Sequence, residues 1–254
     1  ILGEATLPVK FATFLLREAV ALSERRAAFV SAVTHELRTP LTTFRMYAEM
    51  LAQGMIPDEA RRGEYLRTLQ TEAERLSRLV ENVLSYARLE GGRGRGFPLG
   101  EIELGELIDR CRPRLEERAE QAGLTLVLDL PGEVRRFIVR TDASAVEQIL
   151  FNLIDNAAKY AAAAADRRTV VTAARAGRFV AIRVADRGPG LDGEARRRLF
   201  QPFSRSAERA AQSAPGVGLG LALSRRLARE MGGDLRFDAE TTDGAAFILL
   251  LPVA

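Results

Sequence analysis

A chain of 254 residues with one histidine and one cysteine has little with which to coordinate a transition metal. His35 and Cys111 together fall short of a zinc cage, and Cys111 alone cannot close an intrachain disulfide. Such cysteine usage points to a reducing compartment. Lysine is nearly missing too. Lys10 and Lys159 are the only two, so arginine carries the positive charge, a bias we ascribe to a GC-rich genome rather than to chemistry. The net charge is +3 although the isoelectric point is about 9.4, which leaves no broad basic field and argues against a nucleic-acid partner. No apolar run reaches the roughly 18 to 20 residues that cross a bilayer, and no signal peptide is visible, so no membrane contact is expected of this stretch itself. The first residue is Ile1 rather than methionine, as expected of a piece of something longer.

Composition does supply a core, since 47% of the residues are hydrophobic. From Val9 to about Leu51 the pattern is helical, with Phe29, Val33, Leu37, Leu41, Phe44, Ala48 and Leu51 three or four apart. His35 lies off that stripe and is expected to face solvent. Gly54 and Pro57 break the helix, and Asp58 is placed to cap the next. In that second helix Leu66, Leu69, Ala73, Leu76, Val80, Val83 and Ala87 are spaced alternately three and four apart, a heptad seam. Two helices bury too little to stand alone, and so regular a seam is expected to meet a symmetry mate in a four-helix bundle. A monomeric hairpin packed on the rest of the chain is the alternative.

The glycine-rich run from Gly91 to Gly96 reads as a flexible hinge between all-helical and mixed sequence. Beyond it, helices are expected over Leu104 to Gln121, Ala143 to Ala161 and Leu219 to Met231. Strands are expected near Leu124 to Asp129, Arg136 to Arg140, Thr169 to Ala174, Phe179 to Ala185, Asp234 to Ala239 and Ala245 to Leu251. The whole is an α/β sandwich with helices on one face of a mixed sheet. Phe203 to Val217 has no period and is long enough to be a functional lid. The expected divisions are a helical connector over 1–22, a helical domain over 23–92 and an α/β domain over 97–254.

Five strings carry chemistry. His35 is followed at once by Glu36 and, one helical turn on, by Thr39, so imidazole, carboxylate and hydroxyl can serve one centre. Asn152, Asn156 and Lys159 share a helical face, where amide oxygens suit magnesium and the lysine suits phosphate. They equally suit the solvated side of an amphipathic helix. Asp186-Arg187-Gly188-Pro189-Gly190 follows a strand. Its glycines permit close approach of a ligand and its carboxylate can accept a hydrogen bond from an exocyclic amine, although an ordinary turn has the same appearance. Leu199-Phe200-Gln201-Pro202-Phe203 is apolar and is as compatible with packing as with a ligand. Gly216-Val217-Gly218-Leu219-Gly220 opens a helix whose backbone amides can hold phosphate oxygens. No strand feeds it, which separates it from a dinucleotide fingerprint.

The segment from Phe29 to Thr42 resembles the phosphoacceptor box of sensor histidine kinases. The other four strings, in this order, resemble the ATP-binding boxes of the same family, whose catalytic domain has a Bergerat-type fold. The resemblance spans about Ser23 to Ala254 and implies a helical hairpin forming a dimeric four-helix bundle, followed by a Bergerat-type α/β sandwich. It implies a homodimer that autophosphorylates His35 from ATP with Mg2+, hands the phosphoryl group to an aspartate of a response-regulator receiver domain, and dephosphorylates that regulator. By position, Asn156 is implied as the magnesium ligand, Asn152 and Lys159 lie near the phosphates, and Tyr160 lies beside the nucleotide. Asp186 is implied to read the adenine amine within the Gly188 and Gly190 turn, Arg205 to contact phosphate, and Gly216, Gly218 and Gly220 to hinge the lid. Arg187, Ser204, Pro215 to Val217 and the alanine run from Ala161 to Ala165 depart from the family's usual residues. The expected location is the cytoplasm, with room for an inner-membrane anchor upstream. A phosphatase-dominant member, a nucleotide-insensitive scaffold and a non-kinase Bergerat ATPase are the alternatives.

Overall fold

The computed structural model describes residues 20, 30–31, 33–34, 36–56, 58–90, 98–202 and 218–254. The chain forms two compact units that divide between Val83 and Leu84.

In the first unit, helix α1 is described over 36–52 and helix α2 over Glu59–Glu90, the latter running on into the second unit. Between them Gly54 takes a positive φ of 64°, and Ile56 is buried. The expected cap is present: Asp58 Oδ1 accepts from the Ala60 amide at 3.0 Å, satisfying one of the donors that a helix start leaves open. The Tyr47 and Tyr65 rings stack with centroids 4.6 Å apart. The apolar stripes stay largely uncovered within the chain, with Leu41 59%, Leu66 53% and Val80 46% exposed.

The second unit is built on a five-stranded mixed sheet in the order β2-β4-β5-β7-β6, comprising β2 (Thr125–Asp129), β4 (Arg168–Ala176), β5 (Phe179–Ala185), β6 (Asp234–Phe237) and β7 (Ala246–Pro252). Only β2 and β4 run parallel. Alternate residues Val180, Ile182 and Val184 of β5 are buried, as period-two side-chain direction requires. They meet helices α3 (Leu104–Gln121), α5 (Ala143–Tyr160) and α7 (Gly220–Glu230) in one core. α5 buries Val146, Ile149, Leu150, Leu153, Ile154 and Ala157, and Asp142 caps it by accepting from the Ser144 and Ala145 amides. Tyr86 and Leu89, in the last turns of α2, also pack on this core, and Arg226 of α7 donates to the Leu89 carbonyl.

Three short pieces escaped the periodicity. β1 (Gly100–Glu103) pairs antiparallel with β3 (Ile138–Thr141) in a separate two-stranded sheet, and α4 (Gly132–Arg135) and α6 (Gly193–Arg198) are single turns or little more. Four to six residues are too few to display a period.

Candidate active site

The polar face of α5 is assembled against α7. Asn152 Nδ2 donates to Ser224 Oγ at 3.1 Å, and Gly220 lies beside it, where a Cβ would make ordinary contact 3.7 Å from Asn152 Cγ. One turn on, Asn156 Nδ2 is buried and has no hydrogen-bond partner. Asp155 is a junction: its Oδ1 accepts from Arg118 Nε at 2.8 Å and its Oδ2 lies 2.5 Å from Lys159 Nζ. Burial opposes the charge on Asp155, but Lys159 and then Arg118 outweigh it and hold the carboxyl below its usual range.

Asp186 leaves the end of β5 almost buried, at 8% exposure. Its Oδ1 accepts from the Gly188 amide at 2.8 Å and from the Ala245 amide at 3.2 Å, while its own amide donates to the Ala245 carbonyl at 2.9 Å. Burial pushes this carboxyl up, and the two backbone donors offset part of the rise. With Oδ1 engaged twice, Oδ2 is the oxygen left to accept from a ligand. Gly188 is tightly packed: a Cβ would stand 3.0 Å from Asp186 Oδ1 and 3.2 Å from the Tyr160 carbonyl oxygen, so either neighbour would have to give way by a few tenths of an ångström. The loop before β7 closes over the same turn, because Gly244, at φ +99°, would place a Cβ 2.0 Å from the Asp186 carbonyl oxygen. Arg187 turns outward, 3.7 Å from both Asp166 and Asp243.

The structure thus brings Asn152, Gly220 and Ser224 together, and separately joins Asp186 and Gly188 to the Tyr160 backbone and to Gly244 and Ala245. Tyr160 is 43% exposed, and Gly190 and Gly218 take positive φ angles of 71° each. Ser224, Gly244 and Ala245 were not singled out in the sequence. Asp243-Gly244 carries a turn signal, but nothing local reveals that the turn is stacked on Asp186. In the helical unit, Glu36 Oε2 accepts from Arg75 Nη2 at 3.4 Å, and Arg75 also reaches Glu72 at 3.5 Å. Thr39 is exposed on α1. His35, Arg205 and Gly216, and with them the lid segment from Phe203 to Val217, lie outside the described residues.

Residues 141–254 match the family of histidine kinase-, DNA gyrase B- and HSP90-like ATPases, and residues 25–92 match the His Kinase A phospho-acceptor domain. The alginate biosynthesis sensor protein KinB of Pseudomonas aeruginosa is 29% identical over 234 residues, covering 92% of this chain and 38% of that protein. Among solved structures, the Acinetobacter baumannii histidine kinase AdeS is 25% identical with a TM-score of 0.63, covering 86% of this chain and 98% of that one. Full-length ShkA in complex with AMPPNP is 27% identical with a TM-score of 0.61, covering 88% of this chain and 46% of that one. The chain spans 38%, 31% and 44% of the length of the first three curated relatives. With a phosphoacceptor match followed by an ATPase match, and a solved histidine kinase similar across both, the chain belongs to the sensor histidine kinases.

Proposed function

We propose that this chain transfers the γ-phosphoryl group of ATP to His35 and then to an aspartate of a response-regulator receiver domain. The observation that carries the reading is the buried amide of Asn156, which no protein group satisfies. An unpaired buried polar group costs about 1 to 3 kcal/mol, which a domain tolerates where a ligand completes the bond. An Asn amide can be turned to present its oxygen, so the side chain fits a hard cation that takes a few protein oxygens and keeps phosphate and water for the rest. Bound there, Mg2+ would neutralise phosphate charge. Asn156 would hold it, with Asn152 beside it on the same face. Lys159 offers a point charge to the phosphates in exchange for part of its pairing with Asp155. Asp186 Oδ2 accepts from the adenine amine, Tyr160 flanks the base, and the Gly188 and Gly190 turn lets the base approach the backbone. Arg205 contacts the phosphates, and Gly216, Gly218 and Gly220 form the hinge of the lid.

Phosphoryl transfer asks mainly for alignment and charge neutralisation. The distal imidazole nitrogen of His35 forms a bond to the γ-phosphorus as the bond to the ADP oxygen breaks, and the electron pair leaves with ADP. Glu36 takes the proton from the other ring nitrogen, which keeps charge low as attack proceeds. The exposed hydroxyl of Thr39 then orients the water that attacks a regulator's phosphoaspartate, giving the chain phosphatase activity as well. The exposed stripes on α1 and α2 support a homodimer closed as a four-helix bundle. The reaction runs on the cytoplasmic side, whether or not the whole protein is anchored in the inner membrane. Among the described residues, no helix is long and apolar enough to cross a membrane.

The test is incubation with γ-labelled ATP and Mg2+. Acid-labile, alkali-stable label on the chain, transferable to a receiver domain, is the expected result. Nucleotide binding without label would overturn the kinase reading in favour of a phosphatase-dominant member or, where ATP is turned over, of a non-kinase ATPase.

A further inference from the structure

Asp186 has two lateral neighbours on the inner face of the sheet, and they differ. The β4 ladder ends at Val170 opposite Ala185 and the β7 ladder at Ala246 opposite Ala185; continuing each register by one position sets Thr169 on one side of Asp186 and Ala245 on the other, and Ala245 is joined to Asp186 by hydrogen bonds. All three belong to the alternating set turned toward the helices, with Thr169 at 0% and Asp186 and Ala245 at 8% exposure. Ala245 serves Asp186 through its backbone and otherwise brings only a methyl group. Thr169 brings a hydroxyl, and that oxygen is buried without a hydrogen-bond partner. The orphan state is not the rule for buried threonine here, since Thr141 Oγ1 donates to Met231 Sδ at 3.1 Å. Only three buried side-chain polar atoms among the described residues lack a partner, and the Asn156 amide of the proposed nucleotide site is another of them.

We propose that Thr169 is a second reader of the nucleobase, its hydroxyl donating to a ring nitrogen next to the amine that Asp186 Oδ2 accepts, directly or through one water. The inference rests on reading the site as one for ATP. A carboxylate can only accept, whereas the adenine edge presents its amine between two acceptor nitrogens, N1 and N7. Asp186 alone therefore matches the amine and leaves its neighbours unread. A hydroxyl beside it supplies the missing donor, and the base supplies the partner that the fold withholds from Thr169.

The experiment compares Thr169→Val, which keeps the shape and deletes the donor, with Thr169→Ser in the whole chain, by titration with AMPPNP and Mg2+ and by thermal unfolding without nucleotide. Thr169→Val is expected to bind about tenfold more weakly while unfolding at the same or a higher temperature, because removing an unpaired buried hydroxyl does not weaken the fold. Thr169→Ser restores binding. Unaltered chain should lose a similar factor on going to the N1-deaza or the N7-deaza analogue, and the Val variant should show no further loss with that same analogue. Undiminished binding by Thr169→Val, a lowered unfolding temperature alongside weaker binding, or equal further losses with both analogues would each overturn the inference. Failure of the unaltered chain to bind AMPPNP would instead overturn the nucleotide reading itself.

Discussion

The two units carry amphipathic helices of similar regularity and treat their apolar faces in opposite ways. α5 buries Ile149, Leu150, Leu153 and Ile154 to 2% exposure or less against a sheet supplied by its own chain. α1 and α2 meet the same periodic demand with a stripe that stays half uncovered, including Leu66 at 53%. Burying an apolar side chain of this size contributes about 1.5 to 3 kcal/mol, so the second unit gains this term internally while the stripe of the first leaves much of it unrealised among the described residues. Regular spacing alone does not distinguish the two cases. What distinguishes them is that strands alternate with helices after the glycine run and, among the described residues, none precedes it.

That division of labour is sharpest for the nucleophile. His35→Ala is expected to abolish autophosphorylation while ATP affinity stays within a factor of a few, because the nucleophile falls in the phosphoacceptor match and the nucleotide residues in the ATPase match. Label retained by this variant would end the assignment, since the chain has no other histidine to carry it. The converse is Asn156→Ala, which should remove magnesium-dependent ATP binding and labelling and leave the oligomeric state by sedimentation unaltered. Normal labelling by this variant would show that the metal site is elsewhere.

Thr39→Ala separates two activities within one helix. It should spare autophosphorylation and slow regulator dephosphorylation by roughly a hundredfold, since losing one oriented donor at a transition state costs about 2.7 to 4 kcal/mol where such donors have been removed. Decay of purified phospho-regulator in the presence of the variant measures it, and equal loss of both activities would assign Thr39 to support of the helix beside Pro40. The seam itself is tested by Leu66→Asp combined with Val80→Asp. Charges placed in an exposed stripe should weaken self-association at least tenfold without changing ATP binding, and an unchanged dimer would mean that the stripe is not the contact surface.

What the sequence made legible follows the same line. α3 over Leu104–Gln121 and β5 over Phe179–Ala185 have the limits their periodicity indicates, because each is long enough to show one. β1 and α6 are not: β1 is held by pairing with β3, distant in sequence, and α6 is capped locally by Asp192. The site divides similarly. Asp186 and Asn156 could be picked out from strings, whereas Ser224, Gly244, Ala245 and Thr169 matter only through helix contact and strand pairing, which no local pattern records. Glu36 could be picked out too, but not its bond to Arg75, 39 residues away.

The smallest expected effect compares the ion pairs that each unit places beside its proposed chemistry. Arg75 reaches Glu36 at 3.4 Å, with side chains 26% and 21% exposed, and Arg118 reaches Asp155 at 2.8 Å, both 18% exposed, with Lys159 on the second oxygen. The Asp155 junction is shorter, deeper and doubly paired, so Asp155→Asn, which strands two cations, should destabilise the protein by about 1 to 2 kcal/mol at pH 7, below the 3 to 5 of a fully buried pair. Glu36→Gln should change stability by no more than about 0.5 kcal/mol, as long, partly exposed pairs do. The sign with pH is fixed by the direction of the shift. Asp155 is held below its unfolded value in the folded state, so its contribution is present above that value and disappears as pH falls through the folded one. Urea unfolding of Asp155→Asn beside the unaltered chain should therefore show a gap at pH 7 that begins to close below about pH 4, near the unfolded carboxyl value. A gap that persists in strong acid would mean that the asparagine disturbs packing of α5 rather than its charge, and a larger effect for Glu36→Gln would reverse the order of the two units.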